Sequence, residues 1–388
     1  MKTLVNSFFC LVLAAALVLA FSQSPAAGEP ASVRIGVCLS LTGEFGPSGR
    51  KALAGVKLRL EDFNNRAEEN GYTLELVVRD DRSNPETAAA NVADLAENEK
   101  VPAIIGPLST NLMLGMLEPA RRHRVVLVSP SVTSPQIGRN GDWAFRLLFD
   151  DEFQGVALAR FLRDKLGIER VASIVNRRLA YAVSVEQAFK TEFENKGGTM
   201  MAEEFYEWVA DMNSAVDFHP ILQRIAGLDP QMVLLPNNSA DVVEIVSQSL
   251  GFDMQGKFFG GDTWLHEHIL MSAGNNIEGA LYVSGIDYKS QSPEMRRFMA
   301  LYDESHDPAA QPSSVLGFDC LSLIIEAMEN GHDAESIKEG LYGIRDFPLA
   351  TGRITIDRER GSEKSAYIHK IVRTESGFAA VVADVVEP

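Results

Sequence analysis

The sequence predicts an α/β protein of two lobes, each a doubly wound parallel sheet flanked by helices, and three observations carry that expectation. At 388 residues the chain is too long for one ordinary core, which points to two domains. Short apolar runs alternate with amphipathic segments of helical length, the pattern of parallel strands joined by crossover helices. That alternation runs once to Asp150 and then restarts.

Before the first strand, Lys2 is the only charge ahead of Glu29, and Phe8 to Phe21 is an unbroken apolar run followed by SQSPAAG. At about 14 residues the run is short of the roughly 20 that span a bilayer, so it reads as a secretory signal, residues 1–27, cleaved between Ser22 and Ala27. Val33, Ile35, Val37 and Leu39 alternate as a strand, which opens into the Gly-, Ser- and Thr-rich loop SLTGEFGPSG. A helix with Leu53, Val56, Leu60 and Phe63 on one face leads to a strand through Leu74, Leu76 and Val78, ending at Asp80 and Asp81. Asn84 followed by Pro85 is a helix start, since Asn caps free N–H groups and Pro sets φ where no donor is missed.

The stretch Val101 to Pro135 holds two buried strands, Ala103 to Ile105 and Val125 to Val128, around a crossover helix that starts at Ser109, Thr110 and Asn111 and ends in a basic run. Ligands of open α/β sheets bind beyond the carboxyl ends of strands, where helix amino termini present N–H groups, so Ser109, Thr110, Ser131 and Thr133 form a hydroxyl ledge. Phe145 to Leu147 closes the first series as a strand, with Asp150 as the next N-cap. The second series reads as strands at Val171 to Val175, Thr199 to Tyr206, Met232 to Leu235 and Phe258 to Gly260, with helices at Val183 to Phe193, Pro220 to Gly227 and Ala240 to Leu250 between them. Helical patterns at Pro293 to Tyr302 and Ser314 to Met328 precede three strand-like runs, Arg353 to Ile356, Tyr367 to Val372 and Phe378 to Val385. No Gly/Ser linker separates the two series, which suggests a hinged pair.

A formal charge of -17 argues against nucleic acid or an anionic membrane as partner. Cys38 and Cys320, the cysteines left after cleavage, read as two buried free thiols. Catalytic signatures are missing: GEFGPSGRKA lacks the Lys-Ser/Thr pair of a phosphate loop, and G-x-S-x-G, H-E-x-x-H and C-x-x-C do not occur. His266 and His268 around Glu267 are two residues apart and share no helical face, which favours a surface role over metal ligation. Asp80 with Asp81, and Asp150 with Asp151, read as strand ends and caps. Hydrogen-bonding residues at strand ends recur in the second series as Tyr181, Asn237, Asn238 and Asp262. Each alone is compatible with ordinary capping. Together, hydroxyls and helix N–H groups suit a carboxylate and Asp262 suits an ammonium, the two poles of a free α-amino acid.

From Val33 onward the chain resembles the periplasmic leucine/isoleucine/valine-binding proteins, the type I solute receptors of branched-chain amino acid ABC transporters. The segments that carry the likeness are VRIGVCLSLTGEFGPSG, VVRDDRSNPETAAANVADL, AIIGPLSTN, VVLVSPSVTSP, FRLLFDDEFQG, FFGGDTW, GFDCLSLIIEA and GRITIDRERG, in that order. The resemblance implies a type I periplasmic binding protein fold with a three-crossing hinge, crossings near Leu148, Ile286 and Arg345, and hence one lobe of residues 31–148 plus 286–344 and another of 149–285 plus 345–388. It also implies a periplasmic, monomeric receptor with no catalysis and no cofactor, serving an inner-membrane permease. Thr110 and Thr133 would hold the ligand carboxylate, the Ser131 carbonyl and Asp262 the ammonium, and Tyr181 would close on the ligand. Ser48 stands where the family often carries a large aromatic, and Asn237 and Asn238 replace a more aromatic loop, so a more polar pocket is expected. Arg177 and Arg178 before Tyr181 are placed to read a second carboxylate or to lie in solvent. The rival readings are an aromatic carboxylate or an amide- or urea-like solute on the same fold, a periplasmic sensory module, and an enzyme.

Overall fold

The computed structural model describes residues 31–139, 142–207, 216–265, 267–287, 289–302, 311–358, 361–375 and 377–388. The proposed signal segment and His266 lie outside these residues. Among the described residues no helix is long and apolar enough to cross a membrane.

Five strands make the first sheet: β1 (Ala31–Leu39), β2 (Tyr72–Asp80), β3 (Ala103–Ile105), β4 (Val126–Ser129) and β5 (Ala144–Arg146). They pair in parallel in the order β2-β1-β3-β4-β5, linked by helices α1 (Gly46–Asn64), α2 (Pro85–Glu97) and α3 (Thr110–His123). The α2 start is as the sequence indicates, with the Asn84 side chain accepting from the Thr87 amide at 2.8 Å and Pro85 in the first turn. Because β3, β4 and the carboxyl half of β1 are covered on both faces, every residue in them is buried, which is why β3 and β4 read as continuous apolar runs.

Helices α4 (Asp151–Arg160), α5 (Ala180–Asn195), α6 (His219–Leu228) and α7 (Ser239–Gln248) flank a second sheet built from β6 (Arg170–Asn176), β7 (Thr199–Tyr206), β8 (Met232–Leu234), β9 (Phe258–Gly260) and β10 (Leu281–Ser284). After α8 (Pro293–Leu301), α9 (Gln311–Ala327) and α10 (Ala334–Gly343) come β11 (Phe347–Leu349), β12 (Gly352–Asp357) and β13 (Gly361–Glu363), then β14 (Ala366–Thr374) and β15 (Gly377–Val386). The second sheet runs β15-β14-β10-β9-β8-β6-β7, with β14 antiparallel to β10 and β15 antiparallel to β14, so a parallel core carries an antiparallel edge.

Each lobe has its own core. Val37, Ile104, Leu127, Leu148, Ile286, Leu321 and Ile356 belong to the first; Phe149, Val171, Leu234, Val283 and Ile368 pack on one face of the second sheet, and Ile174, Val233, Phe258 and Tyr282 on the other. The chain therefore changes lobes between Leu148 and Phe149 and between Val283 and Ile286. The third crossing lies later than the Arg345 expected from sequence. Leu349, Ala350, Ile354 and Ile356 remain in the first core, while Ala366 is the first residue back in the second. The cause is that β11, β12 and β13 form a small antiparallel sheet against α10 and β5, which a strand pattern alone cannot distinguish from an added strand of the second sheet.

Hydrogen bonds tie the crossings together. The fully buried Arg146 donates from Nη1 to the carbonyl of Ser134 at 3.2 Å and to that of Ile137, and from Nη2 to Asp150 at 3.4 Å. The Ser362 hydroxyl donates to the Arg146 carbonyl. At the second crossing, His369 Nε2 lies 3.1 Å from both the Ser284 hydroxyl and the Ile286 carbonyl. Cys38 and Cys320 are both free and buried.

Candidate functional site

The carboxyl ends of both sheets meet at a cavity of about 170 Å³ between the lobes. Its first-lobe wall comes from the β1–α1 loop (Glu44, Phe45, Ser48), from Leu108, Pro130 and Ser131 after β3 and β4, and from Leu316 of α9; its second-lobe wall is Asn238 and Ser239 at the start of α7, with Asp262 and Thr263 after β9. A wider groove of about 630 Å³ on the first lobe, lined by Glu326, Glu335, Glu339 and Arg345, lies away from the strand ends, so the interlobe cavity is the candidate site.

The β1–α1 loop is held by the acids at the end of β2. Asp80 accepts from the amides of Leu41, Thr42 and Arg82 and from the Thr42 hydroxyl at 2.7 Å; Asp81 accepts from the Ser40 hydroxyl at 2.5 Å and the Ser83 amide at 2.8 Å. These aspartates position the segment that carries Glu44 and Phe45. Across the cavity the lobes touch, with Asn238 Nδ2 donating to Glu44 Oε1 at 3.0 Å and Asn111 Nδ2 to the Arg178 carbonyl at 3.0 Å.

Four of the residues singled out in the sequence, Ser48, Ser131, Asn238 and Asp262, line the cavity. Ser109 is the N-cap of α3, its side chain accepting from the Leu112 amide at 3.4 Å, and Thr110 is the first helical residue, almost wholly buried. The Ser131 hydroxyl donates to the Leu108 carbonyl at 2.8 Å, which ties the end of β3 to the end of β4. Thr133 is buried, and its carbonyl accepts from the Asp151 amide at 2.8 Å. Thr110, Thr133 and Tyr181 are not among the residues of the cavity wall; Thr133 and Tyr181 connect to it through Asp151, Gln154 and Asp262. Arg177 stacks on Phe205 with 4.2 Å to the ring centroid, and both Arg177 and Arg178 are exposed and outside the cavity wall. Asn237 is a brace, accepting from the Asn176 amide at 2.9 Å and donating to the Ile174 carbonyl at 2.8 Å. Among the described residues the cavity wall contains no Lys, Arg or His.

Sequence reasoning missed the residue that braces the second-lobe wall from behind. Gln154 Oε1 accepts from the Tyr181 hydroxyl at 3.1 Å and from the Asp262 amide at 3.2 Å, drawing α4, α5 and the β9 turn to one point. Gly261 has to be glycine there, because a Cβ would sit 1.9 Å from the Tyr181 hydroxyl oxygen. Burial pushes the Asp262 carboxyl up to about 7, partly offset by the neighbouring Tyr181 hydroxyl and reinforced by repulsion from Asp151. Asp151 is pushed to about 7 as well, again by burial first. The adjacent Asp150 is the true cap of α4, accepting from the Phe153 amide at 2.8 Å, and that signal masked its neighbour. Phe45, which supplies an aromatic three positions before Ser48, could have been found from its place in the loop. Among the described residues no cluster of three or more metal-ligating side chains occurs.

Comparisons with known proteins agree with this architecture. The family model described as periplasmic binding protein matches residues 32–371. The leucine-, isoleucine-, valine-, threonine- and alanine-binding protein of Pseudomonas aeruginosa is 22% identical over 341 residues, 86% of this chain and 88% of that one. The crystal structure of a leucine binding protein, LivK, from Thermotoga maritima superposes with a TM-score of 0.80 at 26% identity, covering 92% of this chain and 99% of the other. A solute binding protein of an ABC transporter from R. palustris, in complex with 4-hydroxybenzoate, gives a TM-score of 0.80 over 92% of this chain and 97% of its own, at an identity of 20% that bears on fold alone.

Proposed function

The chain belongs to the periplasmic binding protein family, and from that premise we propose that it captures a free α-amino acid between its lobes and hands it to an ABC permease. The observation that carries this reading is Asp262, a buried acid on a cavity wall that holds no basic side chain among the described residues. A buried carboxylate needs a cation or a proton, and an ammonium entering from the cleft supplies one. The opposite pole falls to the first lobe, where the free N–H groups at the start of α3 and the hydroxyls of Thr110 and Thr133, which lie outside the present cavity wall and would have to join it as the ligand is bound, suit a carboxylate. The cavity is smaller than the roughly 300 Å³ and upward typical of drug-sized ligands, in keeping with a small solute. Phe45, Leu108, Leu148 and Leu316 give it apolar walls for a side chain, and Ser48, Asn238 and Ser313 give it polar ones.

An aromatic carboxylate without an amine fits less well, because it brings no cation to Asp262 and can be accommodated only with that acid held protonated. We read the protein as an exported monomeric receptor in the periplasm, with ligand-driven closure rather than turnover as its mechanism: contacts from both lobes favour the closed state, and a micromolar affinity corresponds to about 8 kcal/mol. The test is calorimetry on the mature chain after unfolding and refolding to strip any ligand, with each of the twenty L-amino acids and with 4-hydroxybenzoate. At least one amino acid is expected to bind, and Asp262→Ala to weaken it about tenfold or more. Tight binding of 4-hydroxybenzoate alone, or an affinity unchanged in that variant, would sink the ammonium assignment.

A further inference from the structure

Asp151 is the least satisfied charged group near the cleft. It is 1% exposed, and neither carboxylate oxygen has a hydrogen-bond partner among the described residues. Thr133 and Ser184 lie close enough to favour its charged form, yet neither meets hydrogen-bond geometry. One turn along α4, the fully buried Gln154 uses its Oε1 to hold Tyr181 and the Asp262 backbone while its Nε2 is also without a partner. Buried polar groups of native proteins are satisfied with few exceptions, and two such residues next to each other, beside the proposed ammonium site, mark a place where a proton or a ligand belongs. Asp262 faces this group and feels its charge.

The geometry points to Asp151 and Asp262 holding one proton between them in the empty cleft, a proton that the incoming ammonium expels to solvent. The inference rests on the amino-acid reading of the site. Charge is conserved in the step: the ligand brings one positive charge, already carried on its nitrogen, and one proton leaves. Asp151 does not line the cavity and so acts as a positioning residue, keeping the pair from losing its last proton until a cation arrives. With the proton on Asp151, one of its oxygens becomes a donor and Thr133 or Ser184 an acceptor, which removes the orphaned state in the free protein. The other charged groups acting on Asp151 are Asp150, which opposes its ionisation, and Arg146, which favours it while bound to Asp150; Tyr181 faces it from α5, and His369 on β14 turns instead to Ser284 and Ile286. Two coupled carboxyls of this kind titrate as a pair, and binding that displaces their proton weakens by up to about tenfold per pH unit below neutrality.

The experiment is carbon-13 NMR of the mature protein labelled at the aspartate carboxyl, titrated from about pH 4 to about pH 9, alone and with a saturating equimolar mixture of the twenty unlabelled L-amino acids. In the free protein a carboxyl pair is expected to titrate near neutrality; in Asp151→Asn the Asp262 signal should move down by about one unit or more, and the amino-acid mixture should do the same in the wild-type chain. Both carboxyls titrating below about 5 in the free wild-type protein, a result that needs no variant to fold, overturns the shared proton, as does an Asp262 midpoint indifferent to Asp151→Asn. Cleft resonances that shift with the mixture while both midpoints stay fixed refute the expulsion and leave the amino-acid reading standing. A mixture that shifts nothing refutes that reading and the expulsion with it, and the shared proton is then judged on the free-protein titration.

Discussion

The two lobes are built on the same sheet plan but leave their cleft-facing groups in different states. In the first lobe the ledge is largely braced from within: Ser109 caps its helix, Ser131 binds Leu108, and Asp80 and Asp81 fasten the loop that bears Glu44 and Phe45, although Asp81 Oδ2 has no partner among the described residues. In the second lobe Asp262 is a buried acid raised toward neutrality, and Asp151 and one end of Gln154 have no partner among the described residues. The charged groups of one wall are mostly held before a ligand arrives; those of the other are completed by it. A receptor divided this way keeps a rigid half that defines where the ligand sits and an electrostatically unfinished half whose closing depends on the ligand's charge.

The sharpest way to break this contrast is at Gly261. Alanine there would drive its Cβ into the Tyr181 hydroxyl, and relief requires moving either Tyr181 or the turn that carries Asp262. Both moves dismantle the second-lobe wall while leaving the first intact, so calorimetry should show affinity for the bound amino acid falling about a hundredfold, near 3 kcal/mol. A fall of less than about threefold would mean the first lobe alone supplies the affinity.

The next effect is on stability rather than binding. In the folded chain the Asp151–Asp262 pair keeps its protons well above pH 4 and is down to the shared one near pH 7, whereas in the unfolded chain both ionise near pH 4. Between those values the unfolded state binds fewer protons, so this pair lowers stability as pH rises from about 4 to about 7 and holds it level above that. Asp151→Asn removes one of the two acids and relieves the other. The variant should melt at least about 2 °C above wild type at pH 8, on the order of 1–2 kcal/mol, and close to wild type at pH 4 to 5, as followed by calorimetric melting of the ligand-free protein. No comparable pH dependence is expected from Ser109→Ala in the first lobe, which loses a helix cap worth about 1 kcal/mol at any pH.

Thr133 lies between the halves, with its carbonyl on the Asp151 amide, its hydroxyl close to the Asp151 carboxyl and a proposed role in holding the ligand. Thr133→Val keeps the shape and the carbonyl but removes the hydroxyl, and a neutral hydrogen bond of about 1 kcal/mol predicts roughly fivefold weaker binding with little change in melting temperature. Equal losses in both would reassign Thr133 to the fold.

How much of this was legible in the sequence follows the same division. The first lobe's strands are alternating or continuous apolar runs between helices with cap signals, and β1, β3 and β4 stand within a residue or two of where periodicity puts them. Asp262 and Asn238 could be found because they follow strands. Strand β10, helix α10 and the third crossing could not be placed as well, since a short run such as Phe347–Leu349 says nothing about which sheet it joins. Asp151 was hidden by its neighbour: two adjacent aspartates at a helix start both look like caps, and only the packing of α5 and the β9 turn against α4 separates the one that caps from the one that is buried.

The smallest predicted effect tests whether the contact across the mouth belongs to either wall. Asn238 holds two roles, accepting from the Asp241 amide at 2.9 Å as the cap of α7 and donating across the cleft to Glu44 at 3.0 Å. Asn238→Asp retains the acceptor and abolishes the donor, and sets an acid against Glu44, whose carboxyl is already raised by burial and by the nearby Asp241. Because this pair is exposed, its loss should cost at most about 1 kcal/mol, a two- to fivefold weakening at pH 8. The weakening should shrink toward pH 5 as Glu44 takes up a proton, and adding Glu44→Gln to the same chain should remove most of it by restoring a donor opposite the introduced carboxylate. Calorimetry of the wild type, the single variant and the double variant at both pH values decides it. Should Asn238→Asp instead lower the melting temperature and leave affinity untouched, the residue is a cap and nothing more, and closure then rests on the ligand and on Asn111 alone.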